Sequence, residues 1–400
     1  MSTIRETVDG LRGEGRGRTL LVVAGGWLFI NGFRVVLPAL LPQIKADFAV
    51  DNASAGFALT VLWLLYAGLQ FPTGIVADRI GERRLLMGGA VLAGLSFVAF
   101  YVSPVFLLFL VAAALFGVGA GLFGTPRDMF LSRTYPEADS TAYGVTFAAG
   151  SLGAASLPYL GTTIASRWGW RVAVLWLLPF LLAVAAGLWR VDPAKGTVGA
   201  GTGLSARETV GRTLGALSDR SVLLASGVML PFVFTYQALL SFLPTYLVEV
   251  KGLDQGLAAL LFGLLFVVGV VTQPVAGHSA DQYGEYRTLL VLTLLATITL
   301  TAVPFLGEVV ALAAAVPLLG VRVAIGPLVS AFIVRELPAS VQGTGWGFLR
   351  TFFFGLGATG STVIGVFGDA GLFDFGFLLL AGLTGLMAVC WAFLPAEKRA

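Results

Sequence analysis

The sequence predicts an all-α membrane protein with twelve transmembrane helices in two pseudo-symmetric six-helix bundles. Three observations carry that prediction. The composition suits a lipid-solvated chain, with 57% hydrophobic and only 12% charged residues and a mean hydropathy of +0.89, outside the balance of a soluble globule. Apolar stretches able to cross about 30 Å of hydrocarbon, about 20 residues each, recur along the whole chain. One loop of the first half is repeated in the second.

The apolar stretches lie near 19–42, 55–77, 84–103, 105–127, 142–165 and 170–190, then near 221–246, 256–277, 287–305, 309–333, 343–367 and 374–394. They divide the chain into a segment 1–18, a first bundle 19–190, a linker 191–220, a second bundle 221–394 and a tail 395–400. The linker holds Pro193, Lys195 and a glycine-rich run from Gly199 to Gly203. Ser205-Ala206-Arg207-Glu208 then forms a capping-box pattern ahead of Val210, Leu214 and Leu217, which predicts a short amphipathic helix at the membrane surface. The first stretch has no small-residue cleavage site, so it is expected to be an uncleaved span.

Orientation follows from lysine and arginine, because cytoplasmic connections carry their excess. With the N-terminus inside, the inner connections hold 18 basic residues, Arg127 and Arg133 among them, and the outer ones only Lys45, Arg167, Arg171 and Lys251. Both termini are therefore expected in the cytoplasm.

The repeat pairs Gly74-Ile75-Val76-Ala77-Asp78-Arg79-Ile80-Gly81-Glu82-Arg83-Arg84 with Gly277-His278-Ser279-Ala280-Asp281-Gln282-Tyr283-Gly284-Glu285-Tyr286-Arg287. Gly, Ala, Asp, Gly, Glu and the final Arg coincide at a constant offset of 203, as do Gln70 and Gln273. Duplication of six helices places such loops on one membrane side, in parallel repeats. Gly74 and Gly81 suit a tight turn and a close helix approach. Asp78 suits pairing with an arginine or a helix N-terminus, and Arg79, Arg83 and Arg84 at the least enforce topology.

On these residues the chain resembles the major facilitator superfamily, whose hallmark is a G-x-x-x-D-R-x-G-R-[RK] type loop between its second and third helices and a degraded copy between the eighth and ninth. Gly74, Asp78, Arg79, Gly81, Arg83 and Arg84 match, and the second copy lacks the arginine after Asp281. Trp168-Gly169-Trp170-Arg171 and the glycines from Gly150 to Gly161 around Pro158 add to the resemblance, without the Gly-Pro pair of the family's antiporter motif. The resemblance implies a secondary transporter working by alternating access in the plasma membrane, functional as a monomer. It also implies a conformational role for the loop residues including Asp281, and a cavity lined chiefly by the first, fourth, seventh and tenth helices.

Three arginines fall within the apolar stretches: Arg34, Arg322 and the shallower Arg350. No acidic residue lies equally deep. A charge at the bilayer centre costs at least about 2.5 kcal/mol and normally faces a cavity, and the guanidinium fork matches carboxylate or phosphate. Arg34, Arg322 and Arg350 are therefore expected to bind an anionic group, Arg34 and Arg322 from one aqueous cavity. Asn31 lies one turn before Arg34, and Tyr236 and Gln237 lie at the equivalent depth by the 203-residue offset; these polar groups complete the expected substrate contacts or else bond one another between helices. Trp63, Tyr66, Trp346, Gln70 and Gln273 fit packing better than contact. The bland alternative for the arginines is snorkelling or bonding to helix carbonyls.

The remaining signals exclude more than they assign. A single cysteine, Cys390, and a single histidine, His278, leave no material for a disulfide framework, a zinc site or a Ser-His-Asp triad. The G-x-G-x-x-G matches at Gly119–Gly124 and Gly355–Gly360 follow no strand and fit close helix packing instead. No phosphate-binding G-x-x-x-x-G-K-[ST] loop is present. No enzyme activity, metal or cofactor is expected, and no basic stripe reads nucleic acid. The expected partners are the lipid bilayer and a small anionic solute, with a coupling ion left open; the alternative is efflux of hydrophobic compounds, with the arginines as gating elements.

Overall fold

A computed structural model describes residues 16–135, 139–191, 215, 220–337 and 342–392. The amphipathic helix expected after Ser205, the first arginines of the N-terminal segment and the tail from 395 lie outside the described residues. Secondary structure among the described residues is entirely helical. The first half comprises α1 (Arg16–Phe48), α2 (Asn52–Ile80), α3 (Glu82–Val102), α4 (Phe106–Thr134), α5 (Asp139–Trp168), and α6 in two pieces, α6a (Trp170–Leu175) and α6b (Leu178–Trp189). The second comprises α7 (Arg220–Glu249), α8 (Gln255–Tyr283), α9 (Glu285–Ala302), α10, α11 (Gln342–Asp369) and α12 (Phe373–Ala392). Helix α10 is composite: α10a (Val309–Leu318), a 3-10 stretch (Leu319–Ala324) and α10b (Ile325–Glu336).

Eleven helices among the described residues are long and apolar enough to cross a membrane. The twelfth, α5, has the length, 30 residues, but is rich in glycine, serine and threonine. That composition has a packing reason. Helices in lipid gain little from burying apolar surface against one another, so small residues that let backbones approach take over. A Cβ on Gly153 would strike the Leu28 carbonyl oxygen of α1, and one on Gly150 the Trp27 indole nitrogen. In α4 a Cβ on Gly119 would come within 2.6 Å of the Ala93 nitrogen of α3, so the first G-x-G-x-x-G match is a packing face.

The duplication is visible in the helix boundaries. Helices α2 and α8 start at Asn52 and Gln255, α3 and α9 at Glu82 and Glu285, α4 and α10a at Phe106 and Val309, and α6a and α12 at Trp170 and Phe373, each pair 203 residues apart. Two devices recur at the same offset. Asp51 accepts from the Ser54 amide at 2.8 Å and Asp254 from the Gly256 amide at 2.8 Å, capping α2 and α8. The bond from Ser54 holds the Asp51 carboxyl below its usual range. Gly81 and Gly284 link α2 to α3 and α8 to α9 at φ of 86° and 90°, the left-handed region that side chains with a Cβ rarely adopt.

The chain forms two compact units. One holds residues up to Leu40 and Val61 through α6b; the other holds Leu41–Thr60 with α7 to α12. The α1–α2 tip joins the second unit through specific bonds. The Asn52 and Ala53 amides donate to the two Asp369 oxygens, each at 2.7 Å, a carboxylate placed on the positive end of α2. Lys45 pairs with Glu249 at 2.7 Å, and Gln43 donates to Gln255 at 2.9 Å.

In the second unit Gly320 plays the part of Gly153, since a Cβ there would meet the Leu265 carbonyl oxygen of α8. Gly153→Ala and Gly320→Ala are each expected to destabilise the fold by about 1–3 kcal/mol through overpacking. Gly88→Ala, with nothing within 4 Å of its Cβ position, should be neutral. Thermal unfolding in detergent checks this, and equal melting temperatures for all three variants would contradict the packing account.

Candidate functional site

In the first unit the site grows from two stripes. Trp27, Asn31 and Arg34 recur at i, i+4 and i+7 along α1, and Trp63, Tyr66 and Gln70 at i, i+3 and i+7 along α2, so each set lies on one helical face. Arg34 is 6% exposed. Its guanidinium carbon lies 3.7 Å from the Tyr66 ring centroid, 5.1 Å from Trp63 and 5.2 Å from Trp27. Aromatic faces attract a desolvated cation by about 2 kcal/mol or more. Asn31 donates to the Gly150 carbonyl at 3.0 Å, tying α1 to α5 at the glycine that seats Trp27.

Arg127 corrects the sequence expectation. It does not sit in a connection: α4 continues to Thr134, and Arg127 is 2% exposed within it. The apolar run ends before the helix does, because Trp27 and Asp128 cover the charge. The guanidinium carbon lies 3.7 Å from the Trp27 ring and 5.1 Å from Phe147. Nε and Nη2 donate to Asp128 Oδ1 at 2.9 and 2.5 Å, and Nη1 is buried with no hydrogen-bond partner among the described residues. Arg133, also expected in a connection, lies in the last turn of α4 and pairs with Glu82.

In the second unit Arg322 lies in the 3-10 stretch of α10, 1% exposed. Nη1 donates to Thr384 Oγ1 at 2.7 Å and Nη2 to Thr235 Oγ1 at 2.5 Å. Those hydroxyls give their own protons to the Leu380 and Pro231 carbonyls at 2.7 and 2.8 Å. They therefore offer the guanidinium lone pairs but no negative charge. Tyr236 follows Thr235 and stacks on Phe232 at 5.6 Å. Buried Gln237 reaches the Phe354 carbonyl at 3.5 Å, and half-buried Arg350 lies 5.6 Å from the Phe354 ring. Arg322 is thus grouped with Thr235 and Thr384, while Gln237 and Arg350 meet at Phe354.

The duplicated loop is built differently from expectation in one respect. At Gly74 a Cβ would meet only Thr125 Cγ2 at 3.9 Å, an ordinary contact, so the close helix approach is not made there. Asp78 lies in the last turns of α2, with Arg79 and Arg84 exposed. Arg83 donates to the Val191 carbonyl beyond α6b at 2.5 Å, and Asp281 is exposed near the end of α8. Glu82 is buried and paired with Arg133, and Glu285 pairs with Arg335 in the second unit. Both glutamates belong to the matched set of the repeat, so the signal was present. Trp27, Thr235 and Thr384 were missed as site residues, although Trp27 shares the face of Asn31 and Arg34.

Comparison with known proteins places this arrangement. The chain is 24% identical over 387 residues to the hexuronate transporter of Bacillus subtilis, covering 90% of each. It is 24% identical over 400 residues to the 4-hydroxybenzoate transporter PcaK of Pseudomonas putida, covering 90% of this chain and 87% of that protein. The nitrite extrusion protein of Bacillus subtilis matches at 26% over 280 residues, 68% of this chain and 66% of that protein. Some other relatives are matched over only 38% of their length. The nucleoside transporter NupG has the same fold, with a TM-score of 0.81 at 12% identity over 94% of this chain and 99% of that one. The family model of the Major Facilitator Superfamily matches residues 22–361, and the chain therefore belongs to that superfamily of membrane transporters.

Proposed function

We propose that the protein carries a small organic anion across the plasma membrane by alternating access, with both termini in the cytoplasm, and that Arg34 binds the anionic group. The observation that carries this is the aromatic enclosure of Arg34 by Trp27, Trp63 and Tyr66. Rings hold the cation without cancelling its charge. An anion meeting this guanidinium does so in a site of low dielectric, where charge-assisted bonds are strong. Arg322 supplies a fixed positive charge in the second unit, solvated by two hydroxyls. Nitrite, hexuronate and 4-hydroxybenzoate, the solutes in the relatives' names, are all anions, which supports the charge class.

The loop residues Asp78 and Asp281 are assigned to switching rather than to binding. Glu82 with Arg133 and Glu285 with Arg335 brace the starts of α3 and α9 against the ends of α4 and α10, so each bundle can move as a unit.

Uptake of labelled organic anions into proteoliposomes, set against efflux of lipophilic dyes, tests the proposal. Arg34→Lys keeps the charge but loses the planar fork, and should weaken anion binding by about tenfold, equivalent to about 1.4 kcal/mol. Arg34→Gln should nearly abolish it. Normal anion transport by Arg34→Gln, or dye transport with no anion transport in the unaltered protein, would overturn the assignment. Asp78→Asn should lower transport far more than binding, and Asp281→Asn less so, because its loop lacks the arginine that follows Asp78. Equal effects of the two substitutions would remove the asymmetry.

A further inference from the structure

We infer that Arg127 forms a second anion-binding position beside Arg34, and that the first unit thereby prefers organic anions carrying two acidic groups on a short spacer. The inference rests on the proposal that Arg34 binds the substrate anion, and extends it to the substrate's second charge. Both guanidiniums lie against one indole. Their carbons stand 5.2 Å (Arg34) and 3.7 Å (Arg127) from the Trp27 ring, distances that add to an upper bound of about 9 Å between them. That interval suits a short dianion with one acidic group at each end.

The partners of Arg127 leave one of its nitrogens unused. Asp128 takes Nε and Nη2, while Trp27 and Phe147 lie within 3.7 and 5.1 Å of the guanidinium carbon. Nη1 is the remaining nitrogen, buried and without a hydrogen-bond partner among the described residues. An orphaned cationic donor inside a fold is rare and calls for a reason; an acidic group of a ligand supplies one. Since the Arg127–Asp128 pair is neutral as a whole, it cannot attract a monoanion as strongly as an isolated guanidinium. It acts on a molecule already anchored at Arg34, which makes it a selector for a second acidic group rather than a second independent site. The repeat mate of Arg127, by the 203-residue offset, is Ser330, so duplication does not account for it.

The test uses the full chain in nanodiscs, with malonate, succinate and glutarate each compared with its monoamide, which keeps the shape and removes one charge. The unaltered protein is expected to bind at least one dianion about tenfold or more tightly than its monoamide. Arg127→Gln should abolish that preference by weakening the dianion far more than the monoamide, whereas Arg34→Gln should weaken both. Because Arg127→Gln strands Asp128, the double variant Arg127→Gln with Asp128→Asn serves where the single one fails to fold, and the same loss of preference is expected. Equal affinities within every pair in the unaltered protein, binding of none of the three dianions, or a parallel loss of both ligands on substitution of Arg127 would overturn the second position. Loss of binding in Arg34→Gln alongside any of these would leave the Arg34 assignment standing, and undiminished binding in Arg34→Gln would remove that assignment instead.

Discussion

A guanidinium carried into the interior of a helix bundle loses its water, and everything around it must then hold a charge that cannot be given up. Three answers to that constraint occur in this chain. Arg34 is enclosed by ring faces. Arg127 is held half by a carboxylate and half by rings. Arg322 is held by hydroxyl lone pairs whose protons are committed to helix carbonyls. The second includes a neutralising partner, Asp128. Gly150 of α5 follows from the first two of these choices, because the Trp27 indole beside it needs room that a Cβ would fill.

The scaffold is duplicated and the chemistry is not. Helix starts, the aspartate caps of α2 and α8, and the positive-φ glycines recur at 203 residues, as do the glutamates that pair with the arginines ending α4 and α10. The buried basic positions fall outside this pattern. Arg34 is matched by Gln237, Arg322 by Gly119 and Arg127 by Ser330. Geometry that every bundle needs has been kept in both copies, while charge has been placed singly.

This division explains what was legible in the sequence. Apolar length sufficed for the spans, because lipid imposes it, and the repeated loop already carried the 203-residue offset at which helix starts recur. The depth of Arg34 and Arg322 followed from counting along their helices. Arg127 did not follow, because an apolar window ends at the first charged residue while the helix runs on under cover from other chain segments. The aromatic enclosure was half legible: the stripes Trp27-Asn31-Arg34 and Trp63-Tyr66-Gln70 are periodic, but periodicity does not say that two stripes meet. The hydroxyls of Thr235 and Thr384 carry no pattern at all, since threonine in a membrane helix ordinarily bonds its own preceding turn, and both also do so here.

The manner of holding also separates the arginines by what they can do next. Arg322 is fixed at both ends of its fork by directional bonds of 2.7 and 2.5 Å, in a stretch whose backbone is pressed against α8 at Gly320. A short 3-10 interruption of this kind commonly marks a hinge or a site of strain; with Pro317 removing one helix bond ahead of it, the interruption is written into the sequence. Each terminal nitrogen of Arg322 spends one of its two N–H groups on a threonine, which fixes the plane of the fork. The ring contacts of Arg34 are not directional bonds of that kind. On the proposed assignment ligand exchange falls to Arg34, and Arg322 holds a standing charge in the 3-10 stretch of α10.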